Sequence, residues 1–447
     1  MTGGRVLLLT LVLLIGASPT MAQPAAAPEL MTLDAAIALA RERNPGIRAQ
    51  RLEADKQREQ ITAFRSQRRP LFEFKVASGT LLAPFSFRFP QGSLGTLAST
   101  GPLPPEPATI TSEPGLSTIV FATVTQPLTQ LRRLSFGEQA MSLGLTLAAE
   151  ETRLREADLI TAVRKLYYGI VQASVTMRAQ QESVRLSSEV ARLTEQYEAA
   201  RVALPADVLA ARAGALEQSY RLEVVKRQAQ GFREQLNALL GRSLDEPFAV
   251  EALQPATMGD DDIAAAEAKA ATDRPEVRVG KLQAERAELA LRATKGPFWP
   301  DVSLSFQYLS FQGFEFLPRQ GALLGVLATW EPWDWGRARA EQAEKRLIQD
   351  QASLLAENAI AQARVDVRAR FRALQDAAAL FAVSDAAREA ARERLRVVTA
   401  RFAEDAALQK DVLTAQAALS GADQASAQAL ANYWMARAEF ERARADL

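Results

Sequence analysis

The 447-residue sequence predicts a mainly α chain with a small β part, built from a duplicated helix–strand–strand–helix unit. Three observations lead there: long proline-free tracts, short segments of period-two alternation next to prolines, and the return of both in the same order in the second half. Nine of the 21 prolines lie between Pro70 and Pro127, whereas residues 128–204, 206–246 and 333–447 contain none. Proline inside a helix costs about 3 kcal/mol or more, so proline-free tracts rich in Ala, Glu, Arg, Leu and Gln read as long helices.

The first long helix spans roughly Gly137 to Arg201. At about 1.5 Å rise per residue it reaches roughly 100 Å and must pack laterally against similar helices. Leu154, Ile160, Val163, Leu166, Tyr167 and Ile170 recur at helical spacing with Arg and Glu between them. Abundant Ala on these faces suits closely spaced, shallow coiled coils. No proline interrupts residues 336–447, so composition alone allows one continuous helix there.

The repeat is explicit in the residues. Asn44-Pro45 and Arg274-Pro275 lie 230 positions apart, as do Pro70 and Pro300, each of which opens an apolar stretch. Pro127 pairs with Pro332 and Tyr197 with Phe402 at an offset of 205, and Asp207-Val208-Leu209 pairs with Asp411-Val412-Leu413 at 204. The matches divide the chain into a first repeat at 31–241, a linker at 242–261 and a second repeat at 262–447. The change in length falls between the paired prolines, where insertions map to loops.

Between those prolines the period is two. Phe72, Phe74 and Val76 alternate with Glu73 and Lys75; Val120, Ala122 and Val124 with Thr123 and Thr125; Val302, Leu304, Phe306 and Tyr308 with Ser303, Ser305 and Gln307. The expected strands are about 71–77, 116–126, 301–311 and 321–331, with outer loops at 78–115 and 312–320. The last strand alternates poorly from Leu323 to Trp330 and is assigned from its repeat partner. About ten uncharged residues suit a tilted strand crossing a bilayer. Trp299, Trp330, Trp333 and Trp335 are four of the five tryptophans, and their place around the second strand pair suits an interfacial aromatic girdle. Four strands cannot close a barrel alone, and an open edge is untenable in lipid, so strands are expected to be pooled among copies. Two copies give eight and three give twelve; the sequence does not choose.

The N-terminus reads as a targeting segment. Arg5, the apolar run Val6–Ile15 and the small residues up to Ala22 make a secretory signal peptide at 1–22, followed by a linker at 23–30. With no Cys and no His, thiolate and imidazole chemistry and metal sites built on them are excluded. No cofactor, metal or catalytic residue is expected, and the chain does not read as an enzyme. Equal numbers of acids and bases, 53 each, argue against nucleic acid as a partner.

The Leu33-Asp34-Ala35-Ala36-Ile37…Asn44-Pro45 opening, the Arg274-Pro275-Glu276-Val277 restart, the Trp335-Gly336-Arg337 junction and the two Asp-Val-Leu tips resemble the TolC-like outer-membrane efflux protein family (outer membrane factors). The resemblance covers essentially all of the chain from about residue 31. It implies a homotrimer with a shared twelve-stranded barrel in outer-membrane lipid and a long helical tunnel through the periplasm. A periplasmic adaptor (membrane fusion protein) and an inner-membrane pump would dock at its far end. The implied function is the passive exit duct of a tripartite efflux or type I secretion system in a double-membraned bacterium; a soluble periplasmic coiled-coil adaptor or scaffold is the alternative. By the same resemblance, Asp207, Asp411, Tyr197 and Phe402 lie at the periplasmic tips as gate candidates. Either aspartate is equally suited to capping a helix start. The glycine usual before each tip is missing, with Ala200-Arg201 and Asp405 in its place.

Overall fold

A computed structural model describes residues 29–112, 114–253, 262–294, 300–314, 317–404 and 406–446. The signal segment, residues 23–28, Trp299 and Asp405 lie outside these. The first half runs β1 (Glu29–Met31), α1 (Leu33–Arg43), α2 (Pro45–Ser66) and β2 (Leu71–Thr80). Four short strands follow, β3 (Phe85–Phe89), β4 (Thr96–Leu97), β5 (Gly101–Pro102) and β6 (Ala108–Ser112), then β7 (Leu116–Pro127), α3 (Leu131–Ala199) and α4 (Pro205–Leu240). The second half runs β8 (Phe248–Val250), α5 (Ile263–Asp273), α6 (Pro275–Ala293), β9 (Asp301–Gln312), β10 (Gln320–Thr329), α7 (Arg337–Ala403) and α8 (Gln409–Ala443). The duplication shows in the lengths: 11 residues in both α1 and α5, 69 and 67 in α3 and α7, 36 and 35 in α4 and α8.

Local chemistry sets the helix boundaries. Thr32 Oγ1 accepts the Ala35 N–H at 3.2 Å to start α1. Asn44 Oδ1 accepts from Gly46 and Ile47 at 2.9 and 3.2 Å, with Pro45 in the first turn of α2. The stretch 336–447 is two helices: α7 stops at Ala403 and α8 starts at Gln409. The break is made by hydrogen bonds at the turn, not by proline, which is why composition does not reveal it.

One sheet carries β10-β9-β7-β2 in that order, every neighbour antiparallel. The register aligns Phe74, Ala122, Tyr308 and Ala322 in a single row across all four strands. The segment 78–115 is more than a loop: β2 runs on to Thr80, and β3 pairs with β6 in an outer ribbon.

The stretches read as linkers also contribute structure. Within 23–30 and 242–261, Glu29 and Leu30 of β1 pair in parallel with Phe248 and Ala249 of β8. The Tyr167 hydroxyl clamps this pair, donating to Met31 O and accepting from Glu251 N, both at 3.0 Å. Strands of three residues have no periodicity to read, so their backbone pairing identifies them.

The core lies partway along the long helices, beside α1 and α5. One cluster joins Ala36, Ala40, Val163, Ile170, Leu236 and Leu240; the other joins Ala266, Ala270, Val367, Leu374, Tyr433 and Phe440. Val163 and Val367, Ile170 and Leu374, and Leu236 and Phe440 are each 204 positions apart. The two cores are positional copies. Small residues let the helices approach: a Cβ on Gly280 of α6 would sit 3.3 Å from Ala356 Cα of α7.

Candidate functional site

Two regions carry the candidate residues, the sheet wall and the helix tips. On the wall, one face presents Phe72, Phe74, Val124, Ala122, Leu304, Phe306, Tyr308, Leu324 and Val326 in adjoining rows. Phe72 and Phe74 on β2 are 76% and 70% exposed, and Leu324 and Val326 on β10 are 69% and 67% exposed. Burying such side chains is worth about 1.5–3 kcal/mol each, so this face calls for an apolar environment. The opposite face carries Glu73, Thr123, Thr125, Ser303, Ser305 and Gln307, with Ser303 and Ser305 buried. Glu73 and Lys75 pair across 2.8 Å on it. β2 and β10 are the two edges of the sheet, and they run in opposite directions.

Trp330, Trp333 and Trp335 follow β10 and are strongly exposed, Trp335 completely. Trp335 is held at φ +54°, and Gly336 follows at φ +89°. Asp334 stabilises this corner by accepting from Gly336 N at 3.0 Å and Ala338 N at 2.8 Å. Those backbone donors, Ala338 first, hold the Asp334 carboxyl below the ordinary range. The signal for this corner in the sequence is the Asp two positions before the Gly-Arg helix start. Trp434, the fifth tryptophan, packs against the helical core.

At the tips, Asp207 Oδ2 accepts the Leu204 N–H and Asp411 Oδ2 the Leu408 N–H, both at 3.1 Å. Each is the third residue of its helix, where a carboxylate satisfies an orphan donor and complements the dipole. Tyr197 O accepts from Val202 N at 2.8 Å, and Arg401 O accepts from Ala406 N at 2.8 Å. The hydrogen bonds therefore make Arg401, rather than Phe402, the counterpart of Tyr197: the repeat offset at these helix ends is 204, as between Asp207 and Asp411, and not the 205 of the prolines. Tyr197 lines a cavity of about 610 Å³ with Leu186, Val190, Leu193, Leu413 and Ala417, between α3 and α8. Phe402 is 43% exposed. The tip residues and the tryptophans form two separate groups, at opposite ends of α3 and α7. Among the described residues, no His, Cys, Asp and Glu group is placed to hold a metal ion, and no helix is long and apolar enough to cross a membrane.

No protein-family model matches the sequence, and no curated protein does. Solved structures match along nearly the whole chain. A membrane protein from Pseudomonas aeruginosa is 18% identical with a TM-score of 0.74, covering 96% of this chain and 99% of its own. The CmeC outer membrane channel of Campylobacter jejuni is 14% identical with a TM-score of 0.74, covering 93% and 85%. The open-state MtrE outer membrane channel of Neisseria gonorrhoeae is 20% identical with a TM-score of 0.66, covering 92% and 88%. The similarity runs over nearly the full length of each chain, and the chain has the fold of the TolC-like outer-membrane channels.

Proposed function

We propose that three copies of this chain form an outer-membrane channel continued by a periplasmic tunnel, the passive exit duct of a tripartite efflux or type I secretion system. The observation that carries the reading is the open sheet: its β2 and β10 edges run antiparallel to each other, and its apolar face is continuous. Pairing β10 of one copy with β2 of the next continues the antiparallel pattern and leaves no edge in lipid. Three copies give twelve strands. The exposed apolar residues on the long helices support lateral packing: Leu209 and Leu216 on α4, and Leu347 and Leu354 on α7, each recur at seven. A soluble scaffold would leave Phe72, Phe74, Leu324 and Val326 in water.

In this reading the chain supplies no chemistry. The inner-membrane pump supplies the energy, and the periplasmic adaptor contacts the tips, where Asp207, Asp411, Tyr197 and Phe402 lie. The test has two parts. Light scattering of detergent-purified protein should give three chains per particle, and planar bilayers should show discrete conductance steps. A water-soluble monomer without current after insertion would overturn the proposal.

A further inference from the structure

The polar face of the sheet changes character along the strands. On the two central strands, β7 and β9, it carries Thr125, Ser305, Thr123 and Gln307 nearest the helices and Phe121, Leu309, Ile119 and Phe311 nearer the outer turns; on the edge strands Leu71, Leu323 and Leu327 also lie on this face, but no aromatic ring does. Phe121 and Phe311 meet edge to face, centroids 6.4 Å apart at 84°, and Phe314 meets Phe311 at 6.4 Å and 86°. Phe121 remains 38% exposed.

These rings are on the side opposite Phe72, Phe74, Phe306 and Leu324, so lipid does not reach them if the sheet closes as proposed above, and the inference rests on that reading. Against water alone such apolar surface is unfavourable. The same face shows that hydroxyls and amides are compatible with its backbone one or two rows away. What reaches an inward-facing cluster at this level is the solute in passage. We propose that Phe121, Leu309, Phe311 and Phe314 form a binding site on the duct wall for amphiphilic aromatic small molecules in transit. Register supports the choice of chemistry. Lys75 is the direct cross-strand partner of Phe121, and Glu73 stands one row further in beside Thr123. The ion pair of Glu73 and Lys75 thus offers both signs of charge to the polar end of a solute whose ring lies on the cluster. A bare ion or a hydrophilic polypeptide has no use for the rings.

The experiment is single-channel recording of the purified assembly with tetraphenylphosphonium or tetraethylammonium added. The aromatic cation should interrupt the current in a concentration-dependent way, and the aliphatic cation at equal concentration should not. Phe121→Ser should raise the half-blocking concentration about tenfold, the ratio expected for losing one ring contact. Phe311→Leu, which keeps apolar bulk without the ring, should shift it in the same direction and guards against misassembly of the serine variant. Gln307→Ser, in the Thr123 row outside the ring cluster, should leave it unchanged. Normal conductance with equal responses to both cations overturns the site while leaving the duct intact, as does block indifferent to Phe121→Ser and Phe311→Leu; that result fits a cluster covered by the outer ribbon of a neighbouring copy. Absence of conductance steps in inserted wild-type protein overturns the duct itself.

Discussion

Arg274 occupies in the second half the corner that Asn44 occupies in the first, and the two hold it by different chemistry. Asn44 caps α2 with its carbonyl and donates its amide to Leu239 O at 2.9 Å, tying the corner to α4. Arg274 makes no cap and is almost fully buried. It reaches Glu276 at 3.1 Å and Asp366 of α7 at 2.8 Å, and Arg442 of α8 joins Glu276 at 3.3 Å. A hydrogen bond in one repeat has become an ion-pair network in the other.

That network makes the second corner acid-sensitive. Burial raises the Glu276 carboxyl, but the hydrogen bond and charge of Arg274 outweigh it and hold the pKa below the ordinary glutamate range. A lowered pKa in the folded state means stability that is present above about pH 4.5 and is lost as pH falls through the folded-state value. Glu276→Gln should therefore lower the melting temperature at pH 7, by an amount corresponding to about 1–3 kcal/mol for one charged hydrogen-bond partner of a buried guanidinium. The gap to wild type should narrow in acid, since the unfolded wild-type carboxyl takes up its proton first and the folded one follows at its lower value. Circular dichroism melts at pH 7 and pH 3.5 check this; a constant gap would refute it.

At the tips, charge and capping separate by substitution. Asparagine retains an acceptor for the Leu204 or Leu408 N–H but removes the charge. Asp207→Asn and Asp411→Asn should each change stability by less than about 1 kcal/mol, whereas the alanine variants should cost about 0.5–2 kcal/mol. If three copies of Asp411 ring the tunnel axis, Asp411→Asn also lowers the cation-to-anion permeability ratio, read from reversal potentials in a salt gradient. An unchanged ratio would leave Asp411 a capping residue.

Long-range order was more legible than local detail. Proline spacing located the long helices, and period two located β2, β7 and β9, because each element is long enough for its pattern to stand out. β10 was found only through its partner: Leu323 and Leu327 place apolar residues on the polar face, which blurs the alternation. The β1–β8 pair was missed since three residues carry no period, and the ordered ribbon inside 78–115 was hidden by its prolines and glycines. The tip aspartates are located by the sequence, and their offset of 204 against 205 for the prolines shows that one residue is lost between; the hydrogen bonds put that change before Tyr197 and so make Arg401 its counterpart. The aromatic cluster on the polar face needed cross-strand register, which brings Phe121 and Phe311 together from positions 190 apart.

Gly241 is a second place where backbone geometry fixes the residue. It ends α4 at φ +67°, and an added Cβ would lie 2.9 Å from Arg43 O, at the end of α1. Both the left-handed conformation and the close approach exclude a side chain. Gly241→Ala should cost about 1–3 kcal/mol and loosen the packing of α1 against α4. Faster amide exchange around Arg43 and Asn44 would report it, and exchange identical to wild type would count against this role.

If the sheet spans a bilayer as proposed, the exposed tryptophans give the direct measure of its depth. Trp330, Trp333 and Trp335 stand at the end of the sheet that leads into α7, with 60%, 85% and 101% of their surfaces open, while Trp434 packs in the helical region. Amphipathic indoles favour the headgroup level, where the ring is buried and the N–H stays hydrated. In vesicles with acyl chains brominated near the glycerol, fluorescence from a protein retaining only Trp330 and Trp333 should be quenched strongly. Bromine near the bilayer centre should quench it weakly, and a protein retaining only Trp434 should respond to neither. The depth order follows from the fold: α7 leaves the sheet at Gly336, and Trp434 on the returning α8 packs beside Val367 and Leu374, more than 30 residues along α7 from the sheet. Equal quenching of Trp434 and Trp330 would mean that the membrane level is misassigned, and the apolar face of β2, β7, β9 and β10 would then need a protein partner instead of lipid.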